Sequence, residues 1–88
     1  MIYDLEFDPR ALKAWKKLDS VTRTQFKQKL DERLANPRVP KDALHYLPHH
    51  YKIKLADKGY RLIYKVDDKR VLVVVVDVGR RDRIYDSR

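Results

Sequence analysis

The chain has 88 residues and no cysteine, which is one domain's worth of sequence with neither disulfides nor a thiolate metal site to reinforce it. Hydrophobic residues make up 43%, enough for one core and too many for a disordered chain, and the longest apolar run, Val71–Val76, is too short to cross a bilayer. The 21 Lys and Arg against 13 Asp and Glu leave a net charge of +8, a field that attracts polyanions, nucleic acid first among them.

At the N-terminus Tyr3, Leu5 and Phe7 alternate with Ile2, Asp4 and Glu6, the period of a short strand with one face in the core. The same acidic residues, with Asp8, interrupt any apolar leader, so no signal peptide and a cytoplasmic location are expected. Asp8-Pro9 supplies an N-cap and a first helical residue. Leu12, Trp15 and Leu18 then recur at helical spacing, with Arg10, Lys13, Lys16 and Lys17 off that stripe. Asp19-Ser20 offers a second N-cap, Phe26, Leu30 and Leu34 stack along a second helix, and Asn36-Pro37 ends it. The short link predicts an antiparallel helical hairpin.

From Pro37 to His50 the chain is irregular, punctuated by Pro37, Pro40 and Pro48. Strands follow: Tyr51, Ile53 and Leu55 alternate with Lys52 and Lys54, and Tyr60, Leu62, Tyr64 and Val66 alternate with Arg61, Ile63 and Lys65. Asp67-Asp68-Lys69 marks a turn. Val71–Val76 is apolar on both faces, as a strand inside the sheet must be, and Gly79 is expected to end it. The predicted fold is α+β and β-α-α-β-β-β: a small, twisted, mostly antiparallel four-stranded sheet with the helical hairpin packed on one face of a single domain, residues 1–88.

This pattern has a consequence for charge. Lys52 and Lys54 point to one side of their strand, opposite to Tyr51, Ile53 and Leu55, which must face the helices. Arg61 points away from the helices for the same reason. A four-residue turn, Ala56 to Gly59, places Lys54 directly opposite Arg61. Like charges so placed cost roughly 0.2–1 kcal/mol, so a sheet that accepts them has use for an anion between them. Arg80, Arg81 and Arg83 lie near the end of the adjacent strand, and Tyr85 brings an aromatic ring. Cations hold phosphates and an aromatic ring stacks on an unpaired base. Each feature alone has a plainer reading as a solvated strand, tail or helix face. Their convergence on one side of one sheet points to single-stranded RNA.

The residues also resemble a known family. Phe7-Asp8-Pro9-Arg10-Ala11-Leu12-Lys13 with Trp15, the stretch Leu34 to Arg38, Tyr51-Lys52-Ile53-Lys54-Leu55, Gly59-Tyr60-Arg61-Leu62-Ile63-Tyr64 and Val78-Gly79-Arg80-Arg81-Asp82-Arg83 are similar to RelE-type toxins of the RelE/ParE superfamily. The resemblance runs over nearly the whole chain. It implies a toxin of a type II toxin-antitoxin system, an endoribonuclease that enters the ribosomal A site and cleaves mRNA by 2′-OH attack. The products are a 2′,3′-cyclic phosphate and a 5′-OH, and neither metal nor other cofactor is used. The implied functional set is Lys52, Lys54, Arg61, Arg81 and Tyr85. The implied partners are a RelB-like antitoxin, the 70S ribosome with its 16S rRNA, and mRNA. Operator DNA is reached only through the antitoxin, and no membrane is involved. The spacing from Arg83 to Tyr85 is shorter than in the best-known members, and the chain stops at Arg88, where many members carry a C-terminal helix.

His and Glu, the usual groups for the proton steps of ribonucleases, are absent from the basic face. Electrostatic stabilisation and positioning are therefore expected to supply the bulk of the rate. Arg61 and Lys52 would hold phosphate oxygens, Arg81 would sit by the leaving oxygen and Lys54 is the candidate base. Tyr85 would stack on the base or share the proton work. Lys13, Lys16, Lys17, Lys27 and Lys29 on the helices, with Arg80 and Arg83, are candidate contacts to ribosomal RNA. His45, His49 and His50 read as loop histidines, His50 bordering the Lys52 strand. Two rivals remain: a ParE-type toxin that poisons DNA gyrase, which shares the fold and antitoxin scheme but lacks the combined Lys, Arg and Tyr set, and a non-catalytic RNA-binding module, which the basicity fits equally well.

Overall fold

The protein's computed structural model describes residues 2–55 and 59–80. The first strand, β1 (Asp4–Phe7), stops where Asp8 turns the chain. The Asp8 carboxylate accepts a hydrogen bond from the Arg10 amide at 3.0 Å, and Pro9 takes the first position of helix α1 (Pro9–Lys16). Asp19 caps helix α2 (Ser20–Ala35) in the same way, accepting from the Thr22 amide at 3.1 Å. Each cap satisfies an amide that the helix leaves without a partner. The Arg23 guanidinium donates to the Leu18 carbonyl at 2.9 Å and so holds the end of α1 against α2. A 3-10 turn (Pro40–Asp42) follows, then strands β2 (His50–Leu55), β3 (Tyr60–Asp67) and β4 (Leu72–Arg80).

The sheet order is β1-β4-β3-β2, with β1 parallel to β4 and the other pairs antiparallel. Central β4 carries the run of valines, as suits a strand paired on both edges, and its charges, Asp77 and Arg80, come after that run. The strand does not end at Gly79. It continues to Arg80, and Gly79 sits in register with Arg61. Strand β3 extends far enough to pair that end, so glycine there interrupts no ladder.

On one face, Ala11, Leu18, Phe26 and Leu30 of the helices close over Tyr51, Ile53, Leu55, Leu62, Tyr64, Val66, Val73, Val75 and Val78. Trp15 bridges Phe7 and Phe26, with ring centroids 5.1 and 6.3 Å away. Ala11 rather than Leu12 is the deepest residue of α1: Leu12 is only half-buried.

The opposite face is not the bare polar platform that strict alternation suggests. Ile63 is 1% exposed there, packed with Leu44, Leu47 and Val76. Leu44 and Leu47 come from the irregular segment, which an isolated bridge from Ala43 to Tyr51 and a 2.9 Å bond from the Leu44 amide to the His50 carbonyl tie to β2. A second, small core thus divides that face.

Gly59 ends the β2–β3 connection with φ +70°, and its amide donates to the Leu55 carbonyl at 3.0 Å. A Cβ built there meets nothing within 4 Å. Gly59→Ala is therefore expected to cost only the left-handed conformation, about 1 kcal/mol. Urea denaturation measures this, and an unchanged midpoint would contradict it.

Candidate nucleic-acid interface

Register sets out the face away from the helices row by row. Lys54 of β2 pairs with Arg61 of β3, which pairs with Gly79 of β4. One row along, Lys52 pairs with Ile63, which pairs with Asp77. The next row brings His50 opposite Lys65, so the face does carry a histidine, contrary to the sequence reading, two rows from the Lys54–Arg61 pair. Same-face rows lie about 7 Å apart, two residues of strand rise. Lys52, Lys54 and Arg61 are therefore neighbours on one face, as the alternation and the turn length require. Lys54 is exposed, while Lys52 and Arg61 are half-buried. Gly79, opposite Arg61 in this row, adds no side chain to it.

A buried network fixes the strand that carries the two lysines. Arg33 of α2 donates to the Asp42 carboxylate at 2.6 Å, the Tyr64 hydroxyl at 3.0 Å and the Lys52 carbonyl at 3.3 Å. The Tyr64 hydroxyl in turn donates to the Pro37 carbonyl at 2.7 Å. The Arg33 and Asp42 side chains are only 17% and 15% exposed. Burial works against the Arg33 charge, but its bonds to Tyr64 and Asp42 outweigh that and hold its pKa above the ordinary value. Burial pushes the Tyr64 phenol up, with Arg33 opposing. The same network protects the free edge of β2, where an unpaired carbonyl invites another strand. A groove of ≈ 190 Å³ beside it brings Lys29, Arg33 and Lys41 next to Lys54.

A second network clamps the far end of the sheet. Arg38 donates two hydrogen bonds to Asp68, at 2.7 and 3.0 Å, and a third to the Tyr51 hydroxyl at 3.2 Å. The Tyr3 hydroxyl donates to Asp68 at 2.7 Å. Hydrogen bonds from Arg38 and Tyr3 hold the Asp68 carboxyl below the usual carboxylate range. Here β1, the irregular segment, β2 and the β3–β4 turn meet.

The other cationic residues are dispersed. Lys13, Lys16 and Lys17 are exposed on or just after α1, on the helix side of the sheet. Lys27 is held by Asp31 at 2.7 Å. Lys29 alone of these five approaches the Lys54 edge. Arg80 is exposed and in register with Tyr60, which faces the helices. Lys13, Lys16 and Lys17 are thus on the other side of the sheet from Lys52, Lys54 and Arg61, whereas Lys29 is not. Arg81, Arg83 and Tyr85 lie outside the described residues. Of the histidines, His50 opens β2 with its Nδ1 2.7 Å from the Pro48 carbonyl, and His49 sits 3.2 Å from Arg38.

Sequence reasoning missed Arg33, Asp42 and the two residues that flank a pocket beside the cationic rows, Arg10 and Asp77. The signal for Arg33 was an arginine on the apolar side of α2 one residue before Leu34. No local pattern marks the pair Arg10 and Asp77. Among the described residues no helix is long and apolar enough to cross a membrane.

Comparison with known proteins sets this face in context. The family model described as the ParE toxin of type II toxin-antitoxin systems, parDE, matches residues 5–85. The mRNA interferase toxin RelE of Escherichia coli K12 is 52% identical over 83 residues, covering 94% of this chain and 87% of that protein. The crystal structure of the isolated E. coli RelE toxin superposes with a TM-score of 0.88 at 48% identity, over 97% of this chain and 90% of that one. RelE in the intact E. coli RelBE toxin-antitoxin complex gives 0.89 at 51% identity, over 92% of this chain and 99% of that one.

Proposed function

Because this chain belongs to the ParE toxin family of type II toxin-antitoxin systems, we propose that it is a RelE-type mRNA interferase, an endoribonuclease that halts translation by cutting the codon in the ribosomal A site. The observation that carries this reading is the row in which Lys54 faces Arg61, with Lys52 beside it on the same side of the sheet. Two cations held in register by a ladder form a preorganised anion site.

In the reaction, Lys54, after giving up its own proton to solvent, takes the 2′-OH proton as O2′ attacks the adjacent phosphorus. The O2′–P bond forms and the P–O5′ bond breaks. Lys52 and Arg61 hold the non-bridging oxygens as charge builds on the phosphorane. Arg81, two residues past Gly79, stabilises the leaving O5′, which takes its proton from solvent water. Tyr85 stacks on a neighbouring base. Fixed cations and fixed geometry, not a neutral-range acid and base, provide most of the acceleration.

A site of this kind is weak unless its substrate arrives oriented. The ribosome supplies that orientation, and the lysines of α1 and α2 hold ribosomal RNA backbone, those of α1 on the other side of the molecule and Lys29 beside Lys54. The partner is a RelB-like antitoxin, and the complex represses its own operon from the cytoplasm. The 52% identity to RelE supports nuclease activity. The family model's description keeps the gyrase-poisoning reading in view; arrest of DNA replication before translation in expressing cells would favour it.

The test is cleavage of one transcript with and without ribosomes. Cutting is expected to be at least about 100-fold faster on ribosomes, the order that positioning contributes. Equal rates would overturn the ribosome-dependent reading.

A further inference from the structure

Strand β1 ends at Phe7, in register with Val75, whereas β4 runs on to Arg80. On the face of Lys52 and Arg61, this leaves a pocket of ≈ 380 Å³ lined by Asp8, Arg10, Ile63, Val76 and Asp77. Its place is fixed by a bulge: Ile63 pairs with Asp77 and Tyr64 with Val75, so Val76 is the extra residue. The bulge turns Asp77 towards the pocket and lets Val78 return to the main core.

The lining narrows the ligand. Half-buried Val76 adds only a small apolar edge over buried Ile63, so the lining is mostly polar. Asp8 already accepts from the Arg10 amide. Among the described residues neither the Arg10 guanidinium nor the Asp77 carboxylate has a hydrogen-bond or ion-pair partner. The two carboxylates disfavour a phosphate, and Arg10 disfavours a metal cation. A neutral, planar ligand with donors at one side and an acceptor beside them satisfies all three. Its volume is within the range of small-molecule sites.

We propose that this pocket is a base-recognition subsite that seats a guanine of the bound RNA, with Asp77 and Arg10 reading its edge. The proposal rests on the reading that this face binds RNA. Guanine is the base whose edge offers two adjacent donors, N1–H and the N2 amine, which match the two oxygens of one carboxylate. Its O6 accepts from the guanidinium. The pocket lies one row from Arg61, about 7 Å along the strand, a distance one nucleotide step spans. The base next to the scissile phosphate is therefore the one read. Asp77 and Arg10 set which codons are cut; Lys52, Lys54 and Arg61 cut them.

The experiment separates this subsite from the nuclease reading by measuring binding without cleavage. Labelled 2′-O-methyl trinucleotides with a central guanine, inosine, adenine or uracil, flanked by uracil, are titrated with wild type, Asp77→Asn, Arg10→Gln and Arg61→Gln by fluorescence anisotropy. Wild type is expected to bind the guanine oligomer at least about tenfold more tightly than the inosine one, which lacks the N2 amine; tenfold corresponds to one charge-assisted hydrogen bond. Asp77→Asn should erase that preference and Arg10→Gln reduce it. Arg61→Gln should weaken all four and keep their ratio. Wild type that binds guanine and inosine equally, or Asp77→Asn that retains the preference, overturns the subsite whatever the cleavage assay shows. Guanine preference in a protein that never cuts on ribosomes would leave the subsite standing and remove the nuclease. Asp77→Asn melting with wild type confirms that a lost preference is not lost folding.

Discussion

Arg61→Gln is expected to slow cleavage of an A-site codon by about 100- to 1,000-fold, the cost of removing one preorganised donor from a developing charge. The reason lies in the sheet. Arg61 stands between Lys54 and Gly79 in one row, so its position is set by two ladders rather than by a loop. Glutamine keeps much of the half-buried stem and removes the charge, and it also relieves repulsion with Lys54. The variant should therefore melt no lower than a few degrees below wild type. Single-turnover cleavage on programmed ribosomes, alongside a thermal melt, measures both. A variant that folds and cuts at the wild-type rate would remove Arg61 from the machinery. Arg81→Ala is expected to be equally damaging, by loss of help at the leaving oxygen.

The largest effect on stability is expected at Arg33, which braces the strand of Lys52 and Lys54 and has no part in the reaction. Arg33→Met leaves the Asp42 carboxylate, 15% exposed, without its cation and the Lys52 carbonyl without that donor. Breaking a buried pair by removing one partner costs about 3–5 kcal/mol, and the residual exposure here places the loss near the lower bound. For a domain of this size that is a fall in melting temperature of more than about 10 °C. The double variant Arg33→Met with Asp42→Asn should recover part of the loss, because it no longer strands a charge. Urea denaturation of the single and double variants decides: a single variant within 1 kcal/mol of wild type would show that the network contributes little.

Much of the cationic face was legible because it obeys two simple rules. Strand alternation separates Lys52, Lys54 and Arg61 from Tyr51, Ile53 and Leu62, and a four-residue connection keeps parity, so Lys54 meets Arg61. Asp8 and Asp19 announced both helices by cap chemistry. The rest depends on contacts that no local period encodes. Ile63 lies on the wet side by alternation and is buried by Leu44 and Leu47, from a segment without periodicity. Arg33 stands on the apolar side of α2, and its partner Tyr64 comes 31 residues later in the chain. Counting in twos from Val73 and Val75 would send Asp77 into the main core. The bulge at Val76 reverses that and makes the pocket. Gly79, taken as a strand end, is continued by pairing with Arg61.

The chemical ends of the cut message test the nuclease account most directly. Fragments released from ribosomes by wild type should carry a 2′,3′-cyclic phosphate upstream and a 5′-OH downstream, and Arg61→Gln should yield almost none. Fragments ending in a 3′-OH and a 5′-phosphate, or the same fragments in undiminished yield from Arg61→Gln, would contradict attack by the ribose hydroxyl on a phosphate held by these cations.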